Sequence, residues 1–160
     1  MAEETNNISL SSKKTFTIDG DLTRTIQLDT SDMNVLVRLE EVYGDIQKLA
    51  VDAGNRIVAS KTDDTMDEES LTELSAVLKD IDQQMRVKLN YIFASDIADA
   101  CEPTGNMYDP VGGEFRFEHI VGVLAELYAN NITAEFKKMQ ERVKKHTQKY
   151  TSGTGRRNKK

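Results

Sequence analysis

Three stretches of this chain place apolar residues at alternating steps of three and four, and that rhythm limits what the chain can fold into. In the first, Leu36, Leu39, Tyr43, Ile46, Ala50, Ala53 and Ile57 make a seam of period about 3.5, the signature of an amphipathic helix. Val35, Val42 and Leu49 lie beside that seam and widen it. The second runs Leu71, Leu74, Leu78, Ile81, Met85, Leu89 and Ile92, to a helix end near Ala94. The third, from about Phe117 to about His146, carries Ile120, Val121, Leu124, Leu127, Tyr128, Ile132, Phe136, Met139 and Val143. Thr30, Ser31 and Asp32 are good N-caps for the first helix, and Thr65 with Glu68 fits a capping box for the second. Asp67, Glu68 and Glu69 favour the positive end of that helix dipole. The short connection implies an antiparallel pair. Gly44 and Gly54 weaken the first helix by about 1 kcal/mol each relative to Ala, and permit close packing or a bend.

Ahead of the helices stands a different period. Residues 15–32, TFTIDGDLTRTIQLDTSD, alternate apolar and polar around Asp19-Gly20-Asp21, which reads as a β-hairpin. A two-residue turn at Asp19-Gly20 would set Ile18 opposite Asp21 and throw Leu22, Ile26 and Leu28 onto the face away from Phe16 and Ile18. A three-residue loop, Asp19-Gly20-Asp21, pairs Ile18 with Leu22 and gathers all five on one face, and is the preferred register. "SDIADACEP" reads as a short helix capped by Ser95 and ended before Pro103, and "TGNMYDPVGGE" as a loop leading into the last helix. The expected fold is mainly α: an N-terminal β-hairpin, an antiparallel helix pair, a short helix and a long C-terminal helix. Residues 1–14 are expected to be disordered, 15–147 to form one helical domain with its hairpin, and 148–160 to be a flexible basic tail.

Composition excludes several classes. No apolar run approaches the roughly 20 residues of a membrane span, and the first fourteen residues offer no signal-peptide stretch. One cysteine, Cys101, permits no internal disulfide, so a cytosolic, reducing setting is the simplest reading. The sequons at Asn7 and Asn131 then read as chance. The net charge of −6 hides an asymmetry. From Lys137 onward ten Lys or Arg face one acid, Glu141, a net of +9, while the first 136 residues hold 11 bases and 26 acids, a net of −15. Opposed ends of this kind mark an interaction tail.

Chemistry is scarce. His119 and His146 lack metal-ligand spacing and read as solvated or satisfied side chains. Cys101 has no basic partner nearby in sequence and reads as a buried structural thiol. Gly112-Gly113 could cradle an anion at a helix start, but a plain loop explains it better. The acids Asp63, Asp64, Asp67, Glu68 and Glu69 suit a helix start more than a metal, and "DGDLTRTIQLDT" lacks the sixth-position glycine and closing Glu of a calcium loop. No acid, base and nucleophile converge, so neither an enzyme nor a cofactor is expected. The basic end, with Arg156, Arg157, Lys159 and Lys160, has Tyr150 as its one aromatic and sits behind an acidic domain; a solubilising or partner-binding tail fits it better than nucleic-acid binding. The informative excess is apolar surface. Either the hairpin lies on the bundle in a monomer, or surplus stripe and open strand edge meet neighbouring copies; the second reading is favoured.

The order of these parts resembles the small tail assembly chaperones of long-tailed phages that infect Gram-positive bacteria. The likeness starts at an F-x-I-x-G hairpin closing on I-x-L-D-x-S-D, here Phe16, Ile18, Gly20, Ile26, Leu28, Asp29, Ser31 and Asp32. It continues through two charged amphipathic helices and "YIFASDIADACEP", which is similar to the family's IFG turn with Ala94 in the glycine's place, to a final helix and a Lys/Arg tail. The resemblance implies a non-enzymatic, homo-oligomeric protein of the host cell cytoplasm. It implies binding to the tape measure protein, keeping that helical client soluble until tail tube subunits, a further candidate partner, polymerise around it. Phe16, Ile18, Leu22, Ile26 and Leu28 would carry subunit contacts. Val35, Leu36, Leu39, Val42, Tyr43, Ile46 and Leu49 would hold the helix pair or the client. The alternative is a virion structural protein, a connector or tail component that stays in the particle.

Overall fold

The computed structural model describes residues 6–60 and 67–154. It is mainly helical, in the order β1 (Lys14–Ile18), β2 (Asp21–Leu28), α1 (Asn34–Ser60), α2 (Glu68–Phe93), α3 (Ala98–Cys101), β3 (Pro110–Val111), β4 (Glu114–Phe115) and α4 (Arg116–Thr154). The expected hairpin, antiparallel pair, short helix and long last helix are therefore all present.

The hairpin's register differs from the expected one. Asp19 (φ 52°) and Gly20 (φ 71°) are both left-handed, the geometry of a two-residue turn of the primed kind. Ile18 accordingly faces Asp21, not Leu22, while Thr17 faces Thr25, Phe16 faces Ile26 and Lys14 faces Leu28. Leu22, Thr23 and Arg24 are left over as a bulge in β2. The cause is local. Asp21 accepts hydrogen bonds from the Thr23 amide (2.9 Å) and the Thr23 hydroxyl (2.6 Å), a side-chain turn that competes with the ladder. The bulge absorbs the parity mismatch, so Phe16, Ile18, Ile26 and Leu28 still share the core-facing side. Leu22 does not: it stands 84% exposed, which corrects the expectation that all five share one face.

The segment between β2 and α1 is tied by acids. Asp29 accepts from the Ser31 amide and hydroxyl, and Asp32 accepts from the Asn34 amide at 3.0 Å. The α2 cap is Asp67, whose carboxylate accepts from the Ser70 amide at 2.8 Å; Thr65 of the expected capping box lies outside the described residues. At its other end α2 stops on Ala94 in the left-handed conformation (φ 49°, ψ 40°), with the Ser95 amide reaching back to the Asn90 carbonyl at 3.2 Å. That left-handed conformation favours glycine, and the turn forms here in spite of the Ala94 Cβ. The start of α3 is capped by Asn90 rather than by Ser95: the Asn90 carbonyl side chain accepts from the amides of Ile97 (2.8 Å) and Ala98 (2.9 Å).

The stretch expected to be a plain loop is an organised plug. Gly112 (φ 58°) and Gly113 (φ 86°) turn a second, minimal hairpin, with Val111 opposite Glu114 and Pro110 opposite Phe115. Tyr108 stacks on Phe115 (centroids 4.4 Å apart) and donates its hydroxyl to the Ala50 carbonyl at 2.7 Å. A Cβ on Gly54 would come within 3.2 Å of that hydroxyl, so the close packing expected of Gly54 is the side of the Tyr108 anchor. One core results, with Ile26 and Leu28 of the hairpin, Val35, Val42, Ile46, Ala50 and Ala53 of α1, Ile81, Met85, Leu89 and Ile92 of α2, and Met107, Phe117, Leu124 and Tyr128 behind them.

Arginines lock these parts together. Arg38 donates to the Ile92 carbonyl at the α2 end (2.8 Å) and pairs with Asp32 (2.6 Å). Arg24, in the β2 bulge, donates to the carbonyls of Ala100 (3.0 Å) and Cys101 (3.1 Å). Cations at these last carbonyls also favour the negative ends of the helix dipoles. Arg86 reaches the carbonyls of Glu102 and Gly105, both at 2.8 Å.

Helix α4 runs alongside α2 from the level of Met107, where the Phe117 amide meets the Met107 carbonyl, to Phe93, whose ring lies 5.5 Å from that of Tyr128. It then leaves the body. The helix end expected near His146 is corrected: α4 is helical to Thr154.

Candidate interaction surface

The surfaces follow from which rows of each helix the core uses. On α1 the buried row is Val35, Val42, Ile46, Ala50 and Ala53, with Leu39 and Leu49 half-buried beside it. Two members of the expected seam, Leu36 and Tyr43, point outward and are 55% and 57% exposed. The inward side is thus the Val35/Val42/Leu49 flank, and Leu36, Tyr43, Val51 and Val58 form a second, exposed apolar row. The reason is geometric. Steps of three and four fit both rows, and Ala50 and Ala53 are too small to decide between them; the position of α2 decides.

The hairpin's apolar face turns toward its own body. Ile26 and Leu28 are fully covered within one chain, and Phe16 and Ile18 are half-buried against the same core. Leu22 alone of the five is open to a partner. Burial of that kind leaves the hairpin's outer edge and Leu22, rather than its apolar face, as what a neighbouring chain could meet.

An extended exposed feature is the part of α4 beyond Ile132. Phe136, Met139 and Val143 continue the row that buries Leu124 and Tyr128, yet all three are exposed, as is every residue of 133–149. That segment is about 25 Å long at 1.5 Å per residue, and it carries six Lys or Arg against Glu135 and Glu141. At its root lies an apolar cleft of about 510 Å³ between Lys14, Thr30 and Met33 on one side and Ile132, Phe136 and Met139 on the other. The Asn131 amide closes the end of this cleft by donating to the Thr30 carbonyl at 3.1 Å. Arg156, Arg157, Lys159 and Lys160 of the expected basic tail lie outside the described residues.

Titratable groups here serve structure. The Ser31 and Ser12 hydroxyls hold the Asp29 carboxyl below its ordinary range, and the Thr23 hydroxyl does the same for Asp21. Burial pushes the Cys101 thiol up to about 11, which keeps it protonated and unreactive. Burial also pushes the Tyr128 phenol up to about 12, with the Asp32 and Asp29 charges adding to it. His119 lies 3.8 Å from Glu114, both exposed. Among the described residues no group of His, Cys, Asp and Glu is arranged to hold a metal, and no helix is long and apolar enough to cross a membrane.

The sequence patterns located the helices that carry these surfaces. They missed Arg24, Arg38 and Arg86, whose carbonyl partners lie between 12 and 77 residues away. No protein-family model, curated protein or solved structure matches the chain.

Proposed function

We propose that this chain is a phage tail assembly chaperone, a self-associating helical protein of the host cytoplasm that binds the tape measure protein and keeps it soluble until tail tube subunits enclose it. The observation that carries the reading is the pair of uncovered apolar rows, Leu36/Tyr43/Val51 on α1 and Phe136/Met139/Val143 on α4, each at helical spacing. A long amphipathic client needs such rows, because helix-in-groove recognition is read through anchors three, four and seven residues apart. Exposed apolar rows on a highly charged body also suit reversible holding: the rows bind, and the charge keeps the complex dispersed. The resemblance in the order of hairpin, helix pair, short helix and long basic helix supports the same reading.

The test is co-expression with the tape measure protein of the same genome. The wild-type chain should raise the soluble fraction of that client several-fold. Leu36→Asp with Tyr43→Asp, both on exposed positions, should remove the effect while leaving helical circular dichroism unchanged. No gain in client solubility overturns the proposal. Recovery of the chain in stoichiometric amount from purified particles makes it a virion component instead.

A further inference from the structure

The two ends of the molecule are incomplete in opposite senses. At one end α4 continues past the body over residues 133–149, all exposed, with no helix pair beside Phe136, Met139 and Val143 among the described residues. At the other, the α1–α2 pair runs on past the start of α4 with no third helix beside it among the described residues. There Leu74 and Val77 are half-buried, while Leu71 and Val58 are exposed. A cleft of about 580 Å³ opens between the two helices, lined by Arg56, Glu73, Leu74, Ala76 and Val77. The α4 extension carries an apolar row flanked by bases, while the cleft mixes Leu74, Ala76 and Val77 with the polar Arg56, Ser60, Ser70 and Glu73; the net charges of the two ends are opposite. The α4 extension holds six bases and two acids, a net of +4, over residues 133–149. The free end of the pair holds Asp67, Glu68, Glu69 and Glu73 against Arg56, a net of −3, over residues 54–60 and 67–77.

We propose that the α4 extension of one copy docks on the free end of the α1–α2 pair of a second copy, completing there the three-helix packing that each copy lacks. Phe136, Met139 and Val143 sit over Leu71, Leu74 and Val77, and Lys137, Lys138 and Arg142 face Glu68, Glu69 and Glu73. The occupant is a second copy of this chain because the charges of the two ends are opposite and Leu71, Leu74 and Val77 offer the apolar row a partial counterpart. Pairing of one α4 extension with another would oppose +4 with +4. A nucleic acid would use the bases but leave Phe136, Met139 and Val143 in water. The donor and acceptor ends lie at opposite poles, so the contact is head-to-tail, and assemblies extend until they close into a ring or are capped. The inference rests on the chaperone reading for its biological setting, and it places self-association on α4 rather than on the hairpin face.

Sedimentation velocity of the full chain from about 5 to about 100 µM tests it. At low salt the weight-average sedimentation coefficient should climb with concentration, and about 0.5 M NaCl should weaken association roughly tenfold or more, as screening of rim charges requires. Charge reversal of the arm (K137E/K138E/R142E) and of the pair end (E68K/E69K/E73K) should each give a monomer with unchanged helical dichroism. Mixing the two reversed proteins at equal concentration should restore association, since each arm then meets an end of opposite sign. Leu71→Asp, on an exposed position, should weaken association without touching the first-turn acids. A monomer at about 100 µM in low salt overturns the inference. So does self-association as tight in both reversed variants as in the wild type, or an arm reversal that abolishes binding to DNA or to an acidic helical peptide while self-association persists. A monomer that still solubilises the tape measure protein removes only this inference; a salt-sensitive polymer that does not solubilise it removes only the chaperone reading.

Discussion

Replacing Arg86 by Ala removes the side chain that holds the chain between α3 and β3 onto α2. Its Nε donates to Asp82 (3.0 Å), one terminal nitrogen to the Glu102 carbonyl (2.8 Å) and Asp99 (3.0 Å), and the other to the Gly105 carbonyl (2.8 Å). The guanidinium side chain is only 13% exposed, so its bonds are made largely out of water. Asp99 is open to solvent and contributes little. Asp82 keeps a second partner, the Met107 amide at 2.8 Å. The two carbonyls are the costly loss: bonds from a charged donor are worth about 1.5–3 kcal/mol each. Summing them overstates the effect, because the groups share one side chain and water reaches part of the gap. A loss of about 3–4 kcal/mol is expected, a large part of the roughly 5–15 kcal/mol that holds a domain together. In urea, with a slope of about 2 kcal/mol/M, the midpoint should fall by roughly 1.5–2 M. Arg86→Lys retains the charge but cannot address two carbonyls and Asp82 at once, and should recover less than half of the loss. A loss under about 1 kcal/mol, or full rescue by Lys, would refute the argument that the planar fork, rather than a positive charge, organises this corner.

Two further substitutions read local geometry through the same urea midpoint. Ala94→Gly relieves a Cβ from the left-handed conformation at an exposed position, and should stabilise by about 1 kcal/mol; a neutral or negative result would place the strain elsewhere. Tyr128→Phe keeps the ring on Phe93 and deletes a buried hydroxyl that has no hydrogen-bond partner among the described residues, so it should be neutral to stabilising by about 1 kcal/mol. The same residue predicts an alkaline limb. Its folded pKa is raised to about 12 from an ordinary 10.0, so the unfolded chain sheds the proton first; stability is full below pH 10 and drains as pH climbs toward about 12. Cys101, raised to about 11 from 9.0, adds a parallel loss that begins near pH 9. Urea midpoints measured from pH 8 to 12 should therefore slope downward, and Tyr128→Phe should flatten the upper part.

Helical rows were legible in the sequence because burial imposes the 3.6-residue period on side chains regardless of what they pack against. The choice between rows was not. On α1, Val35, Val42 and Leu49 share the spacing of Leu36 and Tyr43, and only the placement of α2 turns the first set inward. The hairpin shows the same limit. The sequence poses the parity conflict at Asp19-Gly20-Asp21, but its resolution by a bulge depends on Asp21 capturing Thr23, two local bonds against several ladder bonds. Arg24 then becomes the bulge residue and finds the end of α3, a pairing that separations of 76 and 77 residues hide from any local pattern.

The row on α4 distinguishes a selected surface from an accident of composition. Leu124, Tyr128, Ile132, Phe136, Met139 and Val143 advance by four, four, four, three and four, so the apolar line does not break where the body ends. A helix kept only to carry charge into solvent would gain from polar residues on every side after Ile132, and would lose no internal contact by having them. Lys138 faces Arg142 one turn on, a like-charge pair that costs a few tenths of a kcal/mol in an isolated helix. Lys138 also pairs with Glu135 at 3.3 Å, so the uncompensated feature of the extension is its three large apolar side chains in water, which the docking proposed above would cover. The proposed docking would use that continuity, one helical stripe carried past the edge of its own core.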